Sequence, residues 1–327
     1  MLFVTIAIAL LFDFLNGFND SAAMVASVVS SRALSPRKAL LLAAIGGFAG
    51  PFLFGVAVAK TIGGDLFSAQ VLAPSVILAA LLGAVFWGGV TWYFGIPSSS
   101  SHALIGGLMG AVIMASGVDA VHWPALEKIV LALALSPPLG FLAGFLLTRL
   151  IYFLARNATP RVNDLFRLLQ VFTSFGLSLS HGTNDAQKTM GVVTLLLLIE
   201  GVIPTFHVPL WVIAASASAM ALGTAIGGWR QIRTLGGRIF RVRPVNGVAS
   251  QLGGATVIGV AALLGGPVST TQVISSAIMG SGAAERWGKV RWQVGQEMLT
   301  AWLLTIPAAG LISALFYLGL QTVLPTF

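Results

Sequence analysis

The sequence has 327 residues, of which 57% are hydrophobic and only 9% are charged. Soluble globular domains carry about 25% charged residues, so this composition cannot supply a water-facing surface. The mean hydropathy of +0.93 instead indicates a protein that is largely embedded in a membrane. The absence of cysteine excludes disulfides and thiolate metal sites.

Apolar segments alternate with short polar loops along the whole chain. An α-helix needs about 20 mostly apolar residues to cross the hydrocarbon core. We therefore predict an all-α polytopic membrane protein with about ten spans, or up to twelve if the long first and sixth segments contain broken or re-entrant helices. The segments lie near 2–30, 38–60, 71–94, 98–116, 126–153, 168–200, 208–227, 246–265, 268–284 and 294–325.

The net charge of +8 is typical of proteins that bind nucleic acid, but the positions of the basic residues argue against such a partner. Fifteen of the 18 lysines and arginines lie in alternate loops, and the loops between them contain acids such as Asp65 and Asp119. Because short cytoplasmic loops are enriched in Lys and Arg, we expect the basic loops in the cytoplasm. The basic residues are Arg32, Arg37 and Lys38; Arg149, Arg156, Arg161 and Arg167; Arg230, Arg233, Arg238, Arg241 and Arg243; and Arg286, Lys289 and Arg291.

Two motifs occur once in each half of the chain. Counting loops from the basic ones places the two copies of each motif in opposite orientations across the membrane. We therefore predict two inverted-topology repeats, 1–150 and 151–327, with basic cytoplasmic loops near 149–167 and 228–245. The motifs are Gly17-Phe18-Asn19-Asp20 with Gly182-Thr183-Asn184-Asp185, and Pro97 followed by Ser99-Ser100-Ser101-His102 with Pro267 followed by Ser269-Thr270-Thr271-Gln272.

Asp20 and Asp185 lie deep inside apolar segments. An ionisable side chain there costs on the order of 3 kcal/mol and usually marks an ion pathway. We expect the helices to break at Gly17 and Gly182, so that freed backbone groups can bind ions. The alternative is that each Gly-x-Asn-Asp motif is only a turn. Its presence in two equivalent embedded positions favours a cation-coupling role for both aspartates.

The hydroxyl clusters each follow a proline at the start of a short segment. A helix that begins there offers unpaired amides, a positive dipole end and several hydroxyl donors, which together suit a tetrahedral oxyanion. Small hydroxylated residues also allow close helix packing, which is the alternative interpretation. The predicted substrate-binding residues in these clusters are Ser99, Ser100, Ser101, Ser269, Thr270 and Thr271.

Other polar residues beside the motifs complete the predicted site. Asn19, Asn184 and Gln187 belong to or adjoin the Asn-Asp pairs, and we predict that they bind substrate. His102 and Gln272 are equivalent in the two clusters, and a hydrogen-bonding role fits both because glutamine cannot titrate.

Lys188 follows Asp185 at a spacing of i, i+3. At that spacing it can pair with the carboxylate or attract anions, and the two interpretations have equal weight.

An anion site that contains carboxylates requires a co-transported cation to screen the repulsion. We therefore predict a symporter that moves a small anion with sodium or protons. We expect no cofactor, and no metal site other than sodium at Asp20 and Asp185.

Three other functions are alternatives to a symporter. A membrane enzyme is disfavoured because a catalytic centre seldom needs two equivalent donor clusters. An ATP-driven pump is disfavoured because the segment from Gly282 to Val290 departs from the phosphate-loop pattern. An anion channel stays open as an alternative.

Three stretches carry a resemblance to the inorganic phosphate transporter (PiT) family. They are 16–20, 181–191 and 266–271, and the similar segments 227–234 and 302–307 extend the resemblance over the whole chain. The resemblance implies a secondary symporter for inorganic phosphate that forms a homodimer surrounded by membrane lipid. The short central loop implies a prokaryotic protein of the plasma (inner) membrane, and a sulfate permease of the same family is the alternative.

Overall fold

The computed structural model describes residues 1–66, 72–96, 98–227, 232 and 239–323, and the regular structure in these ranges is entirely helical. The described ranges contain ten helices of 16 residues or more. They are α1 (Leu2–Ser30), α2 (Pro36–Phe54), α3 (Pro74–Phe94), α4 (Ser100–Ser116), α5 (Trp123–Leu154), α6 (Val162–Ile199), α7 (Leu210–Ile226), α8 (Pro244–Leu263), α9 (Thr270–Glu285) and α10 (Trp292–Val323).

The prediction of an all-α protein is confirmed, and each of the ten apolar segments overlaps one of these helices. Six helices in the described residues are long and apolar enough to cross a membrane, namely α1, α2, α3, α5, α8 and α10. Helices α4 and α7 are apolar but have only 17 residues each. The predicted number of about ten spans is therefore not established by the helices.

Proline and glycine set several of the helix ends. Pro36, Pro74 and Pro244 are the first residues of α2, α3 and α8, where a missing backbone N–H costs nothing and the fixed φ suits the helix. Gly95 ends α3 in the left-handed conformation at φ 67°. Pro97 and most of the predicted basic loop 228–245, namely 228–231 and 233–238, lie outside the described residues.

The predicted helix breaks at Gly17 and Gly182 were wrong, because α1 and α6 run through both positions without interruption. The glycines instead allow close helix packing. A Cβ atom on Gly17 would lie 2.0 Å from the Met220 carbonyl oxygen, and one on Gly182 would lie 2.0 Å from the Gly47 carbonyl oxygen. Only a residue without a side chain lets these backbones approach so closely.

Helices α1 and α6, which carry the buried aspartates, lie at the centre of the helix packing. Helix α6 packs against α2 and α8, and α1 packs against α7 and α3. The short helix α4 packs along α10, and the short helix α9 packs along α5, so each is held by a long helix from the other half of the chain. Equivalent contacts thus occur in both halves, while the inverted orientation stays a prediction. The predicted boundary at 150/151 falls in the last turns of α5, which ends at Leu154.

Replacing Gly182 by alanine tests the close contact of α6 with α2. The added methyl group has no space beside the Gly47 carbonyl, so we expect unfolding free energy to fall by about 1–3 kcal/mol. Thermal unfolding of the purified protein in detergent measures the change. The control is Gly176→Ala on the same helix, where a Cβ meets no atom within 4 Å and stability should hold or rise. Equal unfolding temperatures for the two variants would contradict the packing described.

Candidate functional site

The hydroxyl-rich starts of α4 and α9 meet in the interior of the protein. The Ser101 hydroxyl donates to the Val268 carbonyl at 3.0 Å, which joins the first turn of α4 to the residues just before α9. At the next residue of α4, His102 Nδ1 lies 3.4 Å from Gln272 Nε2 of α9. Two helix N-termini, each a positive dipole end, therefore converge on the same region.

Asp20 of α1 accepts hydrogen bonds from both of these helix starts. The Thr271 hydroxyl of α9 donates to one carboxylate oxygen at 2.5 Å, and the Ser100 hydroxyl of α4 donates to the other at 3.3 Å. The side chain is only 2% exposed. One buried carboxylate thus links residues from both halves of the chain.

Asp185 of α6 is the second carboxylate of the site and is fully buried. It accepts a hydrogen bond from Thr270 at 2.6 Å and forms an ion pair with Lys188. The Nδ1 atom of His181 lies 3.3 Å from the Oδ2 atom of Asp185, but it is not aligned for a hydrogen bond. One side-chain ligand atom each from Asp20, His181 and Asp185 lies within 4.8 Å of the other two, so the two predicted cation-coupling carboxylates are brought together.

Lys188 completes this cluster. Its ammonium donates to the Asp185 carboxylate, to the Ser101 hydroxyl at 2.5 Å and to the Val268 carbonyl at 3.1 Å. The residue is 1% exposed. All three ammonium protons therefore have oxygen acceptors, which is the condition for burying a lysine at tolerable cost.

A small cavity of about 20 Å³ lies beside Asp20 and is lined by Asn16, Asn19, Ser98 and Ser100 among others. That volume holds about one water molecule, so a four-oxygen anion does not fit without movement of the helices. The Asn16 side chain faces this region with neither its oxygen nor its nitrogen in a hydrogen bond. The cavity is thus too small to hold the anion in this conformation.

Other predicted residues hold the loops around the site. Asn184 donates to the Gly266 carbonyl at 3.1 Å and accepts from the Val268 N–H at 3.3 Å, which fixes the loop before α9. Ser99 caps α4 by accepting from the His102 N–H at 3.2 Å, and it also contacts His102 Nδ1 at 2.7 Å. Its counterpart Ser269 begins α9 with a buried hydroxyl that has no hydrogen-bond partner.

Gln187 points away from the hydroxyl clusters and toward the segment that follows α2. Its side-chain oxygen accepts from the N–H groups of Val58 and Ala59 at 2.7 and 3.2 Å, and its nitrogen donates to the Gly55 carbonyl at 2.5 Å. The predicted substrate contact of Gln187 is untested. The geometry gives it the role of positioning this segment against α6.

The sequence patterns did not indicate one backbone group of the site, and a further buried aspartate lies on α1. The Val268 carbonyl accepts from both Lys188 and Ser101, and a backbone acceptor leaves no trace in a side-chain motif. Asp13 is fully buried on α1 and accepts a 2.6 Å hydrogen bond from Thr189, while its second oxygen has no partner. Asp13 lies about two turns before Asp20, and its sequence signal is the same as that of Asp20, an aspartate inside an apolar segment.

Comparison with known proteins decides the family. The sequence model of the phosphate transporter family matches residues 16–313. The chain belongs to the phosphate transporter family. This confirms the resemblance read from the Asn-Asp and hydroxyl motifs.

Individual relatives match over nearly the full chain. The sequence is 45% identical over 320 residues to a "Probable low-affinity inorganic phosphate transporter" of Rhizobium meliloti (strain 1021), covering 97% of this chain and 96% of the relative. It is 44% identical to a protein of the same description from Bacillus subtilis (strain 168), with 99% of both chains covered. A solved structure described as "The sodium-dependent phosphate transporter" matches with a TM-score of 0.89 at 26% identity, covering 99% of both chains.

Family and fold together establish an integral membrane protein of a transporter family, and not an enzyme. The six apolar helices found in the described ranges agree with a membrane location. The carboxylates, hydroxyls and helix N-termini at its centre are therefore interpreted as parts of a transport site.

Replacing Gln187 by alanine tests its positioning role. Two backbone N–H groups and one carbonyl lose their partner, so we expect a loss of about 1–3 kcal/mol in unfolding free energy. Thermal unfolding measures the loss, and hydrogen exchange should increase in 55–59. Gln293→Ala, at an exposed position of α10, serves as the control. An unchanged unfolding temperature with a loss of phosphate binding would show that Gln187 is a substrate ligand instead.

Proposed function

We propose that this protein is a secondary active transporter that imports inorganic phosphate together with sodium or protons. The observation that carries the proposal is the convergence of two hydroxyl-rich helix starts on two buried carboxylates. The membership in the phosphate transporter family and the relatives described as inorganic phosphate transporters support phosphate as the substrate.

Phosphate binds, on this proposal, between the starts of α4 and α9. The hydroxyls of Ser100, Thr270 and Thr271 now donate to Asp20 and Asp185 and can rotate to donate to an anion. The unpaired amides and positive dipole ends of both helices add to the attraction. The further substrate-binding residues on this proposal surround the same region. They are Ser99, Ser101, Ser269, Asn19 and Asn184.

The carboxylates explain why a cation must accompany phosphate. Asp20 and Asp185 approach each other closely, and a phosphate beside them adds repulsion that a buried environment screens poorly. A sodium ion or a proton at these carboxylates removes that repulsion. Since each ion favours binding of the other, transport of either one alone is suppressed.

The same carboxylates favour phosphate over sulfate. Hydrogen phosphate carries an O–H group that can donate to a carboxylate, whereas sulfate at neutral pH has only acceptors. Sulfate therefore leaves a buried carboxylate unpaired beside a second negative charge, which is unfavourable.

The outer surface is suited to lipid and to a second copy of the chain. Helix α10 presents Leu303, Leu311 and Leu315 to the exterior with exposures of 68–70%. We propose that this protein is a homodimer in a prokaryotic plasma membrane with the basic loops in the cytoplasm.

Neutralising either carboxylate should abolish coupled uptake. We expect Asp20→Asn and Asp185→Asn each to reduce phosphate uptake into proteoliposomes by at least about 100-fold, because the loss of a buried charge interaction of about 3 kcal/mol corresponds to that factor. Sodium and proton gradients are imposed separately to identify the coupling ion. Asp119→Asn, at an exposed position outside the long helices, is the control and should transport normally. Near-normal uptake by both carboxylate variants would reject the site assignment.

Competition between anions tests the substrate. Unlabelled phosphate should inhibit uptake of radiolabelled phosphate at concentrations about tenfold or more below those needed for sulfate, since one unpaired buried acceptor costs about 1–3 kcal/mol. Uptake should saturate and should stop when the cation gradient is collapsed. Equal inhibition by sulfate would favour a sulfate permease, and non-saturable flux without a cation gradient would favour a channel.

A further inference from the structure

The ammonium of Lys188 lies where a bound cation would be expected. Its three acceptors are the Asp185 carboxylate, the Ser101 hydroxyl and the Val268 backbone carbonyl. Carboxylate, hydroxyl and carbonyl oxygens are also the ligands that hard metal cations take in proteins. The lysine is 1% exposed and none of its acceptors is a solvent-facing group. The three oxygen atoms therefore satisfy the ammonium and are of the kind that would also contribute to a metal cation site.

The described part of the first half of the chain contains no such buried ammonium. Aligning the two Gly-x-Asn-Asp motifs places Ala23 of α1 at the position of Lys188. Ala23 is buried and adds no charge. Asp20 nevertheless has contacts like those of Asp185, because Ser100 and Thr271 donate to it from the two helix starts. The two carboxylates thus have similar hydroxyl partners, but only Asp185 has a positive charge attached to its own helix.

The charge balance of the interior agrees with this asymmetry. Among the described residues, the buried carboxylates are Asp13, Asp20 and Asp185, and the one buried ammonium or guanidinium is Lys188. Lys188 contacts Asp185 directly, whereas Asp20 accepts its hydrogen bonds from the hydroxyl groups of Ser100 and Thr271. An interior with more carboxylates than cations binds further positive charge at the carboxylates that remain uncompensated.

We propose, on the basis of the transport function proposed above, that Lys188 is a permanently attached cation that fills the Asp185 half of the site. The mobile coupling cation then binds at Asp20 alone. Because the ammonium is covalently part of α6, it neutralises Asp185 during every transport cycle without crossing the membrane. Lys188 is thereby the residue that sets how many cations accompany each phosphate.

Removal of the ammonium tests this inference without requiring transport. Lys188→Ala leaves the Asp185 carboxylate buried in an oxygen cage that lacks its cation. We expect thermal unfolding of the purified variant in detergent to shift upward by several degrees when sodium chloride replaces choline chloride at equal ionic strength. The shift should exceed that of the unaltered protein. Lys128→Ala, at an exposed position of α5, is the matched control and should behave like the unaltered protein.

A double variant assigns the new sodium site to Asp185. In Lys188→Ala/Asp185→Asn both charges are absent, so the extra stabilisation by sodium should disappear. If the double variant keeps the extra shift, sodium binds elsewhere and the inference is overturned. The inference is also overturned if sodium raises the unfolding temperature of Lys188→Ala no more than that of the unaltered protein. It is likewise overturned if Lys188→Ala fails to fold even in sodium chloride while the double variant folds.

If neither Lys188 variant folds, sodium binding by the Asp20→Asn variant tests the role of Lys188 instead. With the Asp185 half filled by Lys188, Asp20→Asn should bind no radiolabelled sodium, and specific binding by this variant would overturn the inference.

Phosphate uptake separates this inference from the proposed function. A protein that transports no phosphate refutes the function, whereas normal phosphate uptake with no sodium-dependent shift in Lys188→Ala refutes only the role of Lys188.

Discussion

The burial of charge in an apolar interior is the constraint on which the rest of this structure depends. Three carboxylates, Asp13, Asp20 and Asp185, share the described interior with one ammonium, that of Lys188. Each would be costly alone, because an uncompensated buried charge destabilises a protein by several kcal/mol. The hydroxyls at the starts of α4 and α9 and the Val268 carbonyl compensate part of that cost. On the proposed function, the remaining negative charge favours binding of a cation, and the bound cation reduces the electrostatic repulsion of an anion.

The helix packing serves this arrangement of charges. Helices α1 and α6 carry the carboxylates and run unbroken past them, so the two side chains are held on rigid elements. Gly17 and Gly182 allow α7 and α2 to approach these helices at backbone distance. The short helices α4 and α9 are each supported by a long helix of the other half, so a shift of one half relative to the other would move the hydroxyl groups with respect to the carboxylates. The cavity of about 20 Å³ beside Asp20 is too small for a phosphate ion, so phosphate binding there requires movement of the surrounding helices.

Site residues that are recognised by their own side-chain chemistry could be predicted from the sequence. Features that depend on tertiary contacts were harder to predict. Charge inside apolar segments pointed to Asp20 and Asp185, and the structure places them together. The helical class and the family followed from composition and motifs. The glycines were misinterpreted because a helix break and a close helix contact require the same residue. The acceptors of Lys188 could not be foreseen, since Val268 contributes only its backbone and Ser101 lies 87 positions away along the chain.

The central claim is that a cation at the buried carboxylates makes phosphate binding possible. Equilibrium binding of radiolabelled phosphate to the purified protein tests it most directly, first with sodium varied against choline at fixed pH and then with pH varied at fixed sodium. The account predicts that phosphate affinity rises at least tenfold with one of these two cations, a coupling of about 1.4 kcal/mol. Phosphate affinity that is independent of both sodium and pH, after correction for the ionisation of phosphate itself, would contradict it.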